Sequence, residues 1–244
     1  LFGGAGILLM AAAIASPVAA QNFSLDLGSG GSTTGRIVQL VALLTVLSLA
    51  PSILVMVTSF TRIVIVLSFL RSAMGVQQTP PNAVLVSLAL FLTAFVMGPT
   101  LEKSYQSGIL PLMEAQISEE EAFTRTMAPI KAFMLKHVRE QDLRLFMDLA
   151  QNPTAASPEE TPLRSLIPAF MISELRRAFE IGFLLFLPFI VIDMVVASIL
   201  MSMGMMMLPP VMISLPFKLI FFVLVDGWYL VAGSLVQSYG TIGS

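Results

Sequence analysis

The 244 residues carry 56% hydrophobic side chains and only 11% charged ones, too few polar groups to coat a soluble globule. A formal net charge of −2 excludes the basic surface that a nucleic-acid backbone demands, and the lack of cysteine excludes disulfides and thiolate metal sites. Of the 13 Lys or Arg and 15 Asp or Glu residues, 21 fall between Glu102 and Glu180, so two apolar blocks flank one water-compatible segment.

Residues 1–20 have the pattern of a secretory signal peptide: an apolar run from Ile7 to Ile14, then small side chains up to a cleavage point after Ala20. An uncleaved helix is the alternative. Residues 21–35, rich in Gly, Ser, Thr and Asn, are expected to form a flexible extracytoplasmic leader. Residues 36–101 are predicted to be a first helical hairpin. Its first arm, uncharged between Arg36 and Arg62, is long enough to cross a hydrocarbon core. Pro51 is expected to kink it, with Ser48 satisfying the carbonyl freed near Leu47. Pro80-Pro81 forces the turn, and Asn82 to Leu101 forms the return arm.

Residues 102–168 hold most of the charge and are predicted to be a periplasmic helical segment. Ser118 and Glu121 form a capping box, opening a helix that Pro129 divides or bends. Ile130, Phe133, Met134, Val138, Leu145, Phe146 and Leu149 then recur at helical spacing, which predicts one amphipathic helix. His137 is the single histidine, and its helical neighbours Phe133, Met134 and Gln141 are not metal ligands, so it is assigned a surface or packing role. No phosphate loop, nucleophile elbow or metal set is present in the pattern, and neither catalysis nor a cofactor is expected. Residues 169–244 are a second helical hairpin turning at Pro209-Pro210, with Glu174–Arg177 and Arg176–Glu180 spaced for ion pairs along one helix. With the N-terminus outside, four crossings put the acidic segment on the periplasmic side. The fold class is therefore all-α: an integral membrane protein, oligomeric, with two long apolar helical hairpins flanking an amphipathic, water-facing segment.

Two features of the second hairpin call for a purpose. Asp193, Lys218 and Asp226 stand inside apolar runs, where an unpaired charge costs at least about 2.5 kcal/mol. Either they form an ion path or they pair across helices or subunits and fix assembly, Lys218 partly snorkelling; assembly is the better fit. Seven of the 16 methionines lie between Met194 and Met212, with Met205, Met206 and Met207 consecutive after Gly204. Three adjacent side chains point three ways around a helix, so an unwound turn after Gly204 is predicted. Flexible thioethers there would form a deformable apolar gasket if repeated round a ring; lipid-facing filler is the alternative.

Several long stretches resemble the FliP family of flagellar biosynthetic proteins. They are Leu49–Arg62 (LAPSILVMVTSFTR), Leu67–Arg71 (LSFLR), Gln77–Asn82 (QQTPPN), Phe133–Leu143 (FMLKHVREQDL), Ile172–Glu180 (ISELRRAFE) and Phe186–Pro210 (FLPFIVIDMVVASILMSMGMMMLPP). The similarity runs from about Arg36 to Gln237. It implies a pore-forming subunit of the flagellar type III secretion export gate. Such a subunit is a pentamer with FliR-like and FliQ-like membrane subunits, works with FlhB-like and FlhA-like export components, and conducts unfolded flagellar proteins across the bacterial inner membrane at the basal body. By position, Met205, Met206 and Met207 match the family's pore gasket. The resemblance also implies that the hairpins sit largely above the bilayer plane. An injectisome export-gate subunit, an ion or solute transporter built on Asp193, Lys218 and Asp226, and an assembly scaffold are the alternatives.

Overall fold

A computed structural model describes residues 33–76, 78–151, 160–205 and 207–240. The predicted signal peptide, residues 21–32 of the leader, and Met206 lie outside the described residues. The chain divides into two compact units after Ser48. The first contains the N-terminal part of α1 (Thr33–Val57), where Thr45 and Ser48 hydroxyls donate to the carbonyls of Val41 and Thr45 at 2.7 and 2.8 Å. Ser48 thus caps Thr45 rather than Leu47, and α1 runs through Pro51 without a break.

The break comes later, at Thr58-Ser59. Hydroxyls there compete with the helical ladder: Thr58 Oγ1 donates to Leu54 O at 2.7 Å and accepts from Phe60 N–H at 3.3 Å, while Thr61 Oγ1 donates to Val55 O at 2.9 Å. Helix α2 (Phe60–Ala73) follows. The turn after it is clasped by Arg71, which donates to Pro80 O at 3.3 Å and Asn82 Oδ1 at 2.5 Å. Helix α3 (Asn82–Ser104) passes through a π-turn (Tyr105–Ile109) into the short α4 (Leu110–Met113). Together they make one apolar rod of 32 residues.

In the charged segment the Ser118 cap forms, its side chain accepting from Glu121 N–H at 3.3 Å, and α5 (Glu119–His137) carries Pro129 within an unbroken helix. The single amphipathic helix expected beyond it is instead two, because the chain turns extended at Val138 and Arg139 before α6 (Glu140–Leu149). Ser173 makes that break stable: its hydroxyl accepts from Arg139 N–H at 3.0 Å and donates to Asp142 Oδ2 at 2.7 Å. A buried partner on another element has replaced a ladder bond.

Helix α7 (Leu163–Ser202) has 40 residues and contains Pro168 and Pro188; at 1.5 Å per residue it is about 60 Å long, twice a hydrocarbon core. Helices α8 (Pro210–Leu224) and α9 (Gly227–Gln237) complete the chain, bent by 63° at Asp226. Among the described residues, two helical stretches, Asn82–Met113 and Leu163–Ser202, are long and apolar enough to span a membrane, or three if the bent α8–α9 pair counts as one.

The packing centre is α2. Its Ile63, Val66, Leu67, Leu70 and Ala73 are buried against Leu85 and Ala89 of α3, Ala178 and Phe189 of α7, and Leu235 of α9. Phe69 wedges edge-on between Phe179 and Phe186 of α7, with centroids 5.0 and 6.1 Å away. A second cluster joins Val57, Met134, Leu166 and Phe170. By contrast, Phe91 and Phe95 on α3, Phe183 and Leu184 on α7, and Val223 and Leu224 on α8 are exposed. These helices bury one side and leave another greasy.

Candidate functional site

The methionine turn is built by a helix stop. Helix α7 ends at Ser202, and Gly204 adopts a φ of +74°, a left-handed conformation that glycine enters without steric cost. Gly204 N–H donates to Met201 O at 3.1 Å and Met205 N–H to Leu200 O at 3.0 Å. That pair of bonds is a Schellman motif, which satisfies the last helical carbonyls and reverses the chain. Pro209 and Pro210 then start α8, where missing N–H groups cost nothing. Constrained at both ends, the tip throws its methionines outward: Met203 is 66% exposed, Met205 40% and Met207 99%. The unwound turn expected after Gly204 is present. Below it, α7 and α8 form an open apolar groove of about 410 Å³ lined by Val191, Val195, Ile199, Ile213 and Phe217.

Of the three charges set in apolar runs, two come together. Lys218 Nζ on α8 is buried and donates to Asp193 Oδ2 on α7 at 2.7 Å and to Ala73 O at the end of α2 at 3.4 Å. Ser214 Oγ donates to Asp193 Oδ1 at 2.5 Å. Lys218 therefore does not snorkel; its ammonium is enclosed because two acceptors meet it inside the protein. Asp226 is not part of this group. It lies about two helical turns further along, exposed, in a left-handed conformation at the α8–α9 bend.

A second ion pair was not anticipated. Arg62 and Glu174, 1% and 0% exposed, form a fork across α2 and α7, with Nε donating to Oε2 at 2.9 Å and Nη2 to Oε1. The remaining nitrogen, Nη1, donates to Ser238 Oγ at 2.9 Å. Tyr239 closes the group: its hydroxyl donates to Glu174 Oε2, and its ring lies 3.9 Å from the guanidinium carbon. Both charges are thus paired, and both are saturated with further hydrogen bonds, the condition under which a buried pair is tolerated. Glu174 turns to Arg62 and not to Arg177 as its spacing predicted, whereas Arg176 and Glu180 do pair, exposed, at 2.9 Å. One signal in the sequence pointed here: Arg62 is a lone charge in an apolar run and needed a partner. Nothing local marked Tyr239.

His137 packs into the same region, its ring 4.7 Å from Phe133 and 5.1 Å from Tyr239. Burial, with the cations of Arg62, Arg177 and Lys136 nearby, lowers its pKa to about 4. At neutral pH the ring is uncharged. Because the unfolded chain takes up this proton near pH 6.5 and the folded chain only near 4, stability is expected to be complete above pH 6.5 and to decline as pH falls towards 4. Unfolding followed by circular dichroism across that range checks the slope, which a His137→Gln variant should flatten. Among the described residues no group of three or more His, Asp or Glu side chains could hold a metal ion.

The chain matches the FliP family model over residues 43–235. It is 64% identical over 225 residues to a flagellar biosynthetic protein FliP from Caulobacter vibrioides, covering 92% of this chain and 85% of the relative. Identity is 58% over 202 residues with the corresponding protein of Bacillus subtilis (83% and 91% covered) and 54% over 204 residues with that of Aquifex aeolicus (83% and 85%).

Proposed function

The chain belongs to the FliP family, and on that premise we propose that it is a core pore-forming subunit of the flagellar type III secretion export gate. In this reading copies of the chain, as a pentamer, assemble in the bacterial inner membrane with FliR-like and FliQ-like subunits and receive unfolded flagellar proteins with FlhA-like and FlhB-like components. The periplasmic side takes the charged segment. The single observation that carries the reading is the methionine tip. A Schellman turn ends α7, and beyond it Met205 and Met207 are exposed, where a lone chain in water gains nothing from them.

Several copies meeting at a central axis would bury these thioethers against one another. Methionine fills irregular gaps at low conformational cost, so such a ring closes tightly on itself and parts round a passing polypeptide. The greasy sides of α3, α7 and α8 supply surfaces for neighbouring subunits and lipid, since exposed apolar area of this extent marks an interaction surface. The Asp193–Lys218–Ala73 link ties the hairpin carrying the tip to α2. Asp226 at the bend, Arg177 and the exposed Arg176–Glu180 pair are assigned to register between subunits. The length of α7, well beyond one bilayer, supports a gate that projects above the membrane plane.

The expected result of changing Met205 and Met207 together to Ala is a several-fold rise in small-ion leak through the assembled gate, with assembly intact. Conductance of reconstituted complexes measures it. An unchanged leak in a normally assembled gate would remove the seal from the proposal.

A further inference from the structure

We propose that the methionine tip is an oxidation site, in which conversion of Met203, Met205 and Met207 to the sulfoxide by a hydroperoxide wets the seal and a thiol-dependent reductase restores it. The inference rests on the seal reading above and adds to it a means of chemical control.

Access comes first. Met207 and Met203 at the tip are 99% and 66% exposed, as Met113 and Met212 elsewhere are at 72% and 67%, whereas Met97 and Met134 in the core are 1% and 0% exposed. Thioether oxidation needs the oxidant to reach the sulfur; Met207 is the most open of the described methionines, and the core is protected. Facing a lumen, the tip also meets whatever diffuses along the path. No cysteine is present in the chain to act as a competing, more reactive sulfur.

The chemistry balances without a metal. A sulfur lone pair attacks one oxygen of the hydroperoxide, the O–O bond breaks, and the sulfur keeps one oxygen while giving up two electrons. Hydrogen peroxide leaves as water. In the reverse direction two thiols of a reductase become a disulfide and the oxygen departs as water.

The consequence follows from polarity. A thioether ring closes because its members prefer one another to water, but a sulfoxide oxygen is a strong acceptor that is costly to bury without a donor. Among the described residues of the tip, positions 203–205 and 207–210, the side chains are Met, Leu and Pro beside Gly204, and none of them donates a hydrogen bond. Water is therefore drawn in, and ions follow.

The test uses the assembled gate in lipid vesicles. Mild hydrogen peroxide, followed by peptide mass mapping, should add oxygen at Met207, Met203 and Met205 before Met134 or Met97, with ion leak rising in step. Treatment with both methionine sulfoxide reductases should reverse the mass change and the leak. In a variant carrying Met203→Leu, Met205→Leu and Met207→Leu, peroxide should add no oxygen at these positions and should not change the leak measured before its addition. Oxidation of core methionines before the tip would overturn the inference, as would an oxidised tip without leak or a peroxide-induced leak in the Leu variant. Failure of the seal reading itself looks different: the Ala variant at Met205 and Met207 would then stay tight before any oxidant is added.

Discussion

Replacing Glu174 with Ala is expected to destabilise the folded chain by about 3–5 kcal/mol, the usual cost of stranding one member of a buried ion pair. Arg62 would keep its bond to Ser238 Oγ and its stacking on Tyr239 but would lose both carboxylate contacts in a place 1% exposed. Water cannot replace them there. Thermal unfolding of the detergent-solubilised protein measures the loss. The expected order within the cluster is also specific. Tyr239→Phe removes one hydrogen bond to a charged group and should cost about 1.5–3 kcal/mol, less than Glu174→Ala. A double change of Arg62 and Glu174 to Met should recover most of the loss, since apolar replacements for a buried pair are often neutral. If Glu174→Ala and the double variant proved equally unstable, the damage would lie in packing and not in an unpaired charge.

This cluster also marks where the sequence stops being readable. The helices on either side of it were legible because their evidence is local: uncharged runs, prolines at Pro80-Pro81 and Pro209-Pro210, and a Ser118 cap all act within a few residues of themselves. The methionine turn was legible for the same reason, since Gly204 between methionines and two prolines leaves few ways to continue a helix. Arg62 and Glu174 are 112 positions apart and Tyr239 a further 65. Their meeting depends on α2 lying along α7, and no periodicity encodes which lone charge finds which. The break at Val138-Arg139 is hidden in the same way, because the apolar spacing continues straight through it and the hydroxyl that permits it, Ser173, comes 34 residues later. Pro51 and Pro129 do not end their helices. Both are strong local breakers that lie inside continuous helices, while the hydroxyl-rich Thr58-Ser59 step, a weaker signal, makes the real break.

Gly108→Ala is expected to be the most damaging Gly→Ala change among the described residues, at about 3 kcal/mol, the upper end of ordinary overpacking. Gly108 lies in the π-turn after α3, and a Cβ there would stand 2.1 Å from Thr126 Oγ1, 2.7 Å from Ala122 O and 2.7 Å from Thr126 N. The first obstacle is a side chain that could rotate. The other two are backbone atoms of α5, so the helix itself must move away. The π-turn explains the closeness: widening one turn of the rod brings Gly108 against α5, and Ser107 Oγ donates across the same gap to Arg125 O at 3.1 Å. Trimming the side-chain obstacle should therefore fail as a rescue, and the Gly108→Ala, Thr126→Ala double variant is expected to remain nearly as unstable as Gly108→Ala. Gly233, inside α9 and followed by Ser234, with no atom outside its own helix within 4 Å of its Cβ position, is the control. There Ala should be neutral or stabilising by about 0.5–1 kcal/mol, because a mid-helix glycine only adds entropy to the unfolded chain. Thermal unfolding of the three variants side by side decides it, and full recovery in the double variant would show that α5 can stay in place. The effect should also travel. Helix α5 carries Phe133 and His137, which pack on Tyr239, so pushing α5 outward loosens the aromatic wall that keeps the Arg62–Glu174 pair dry.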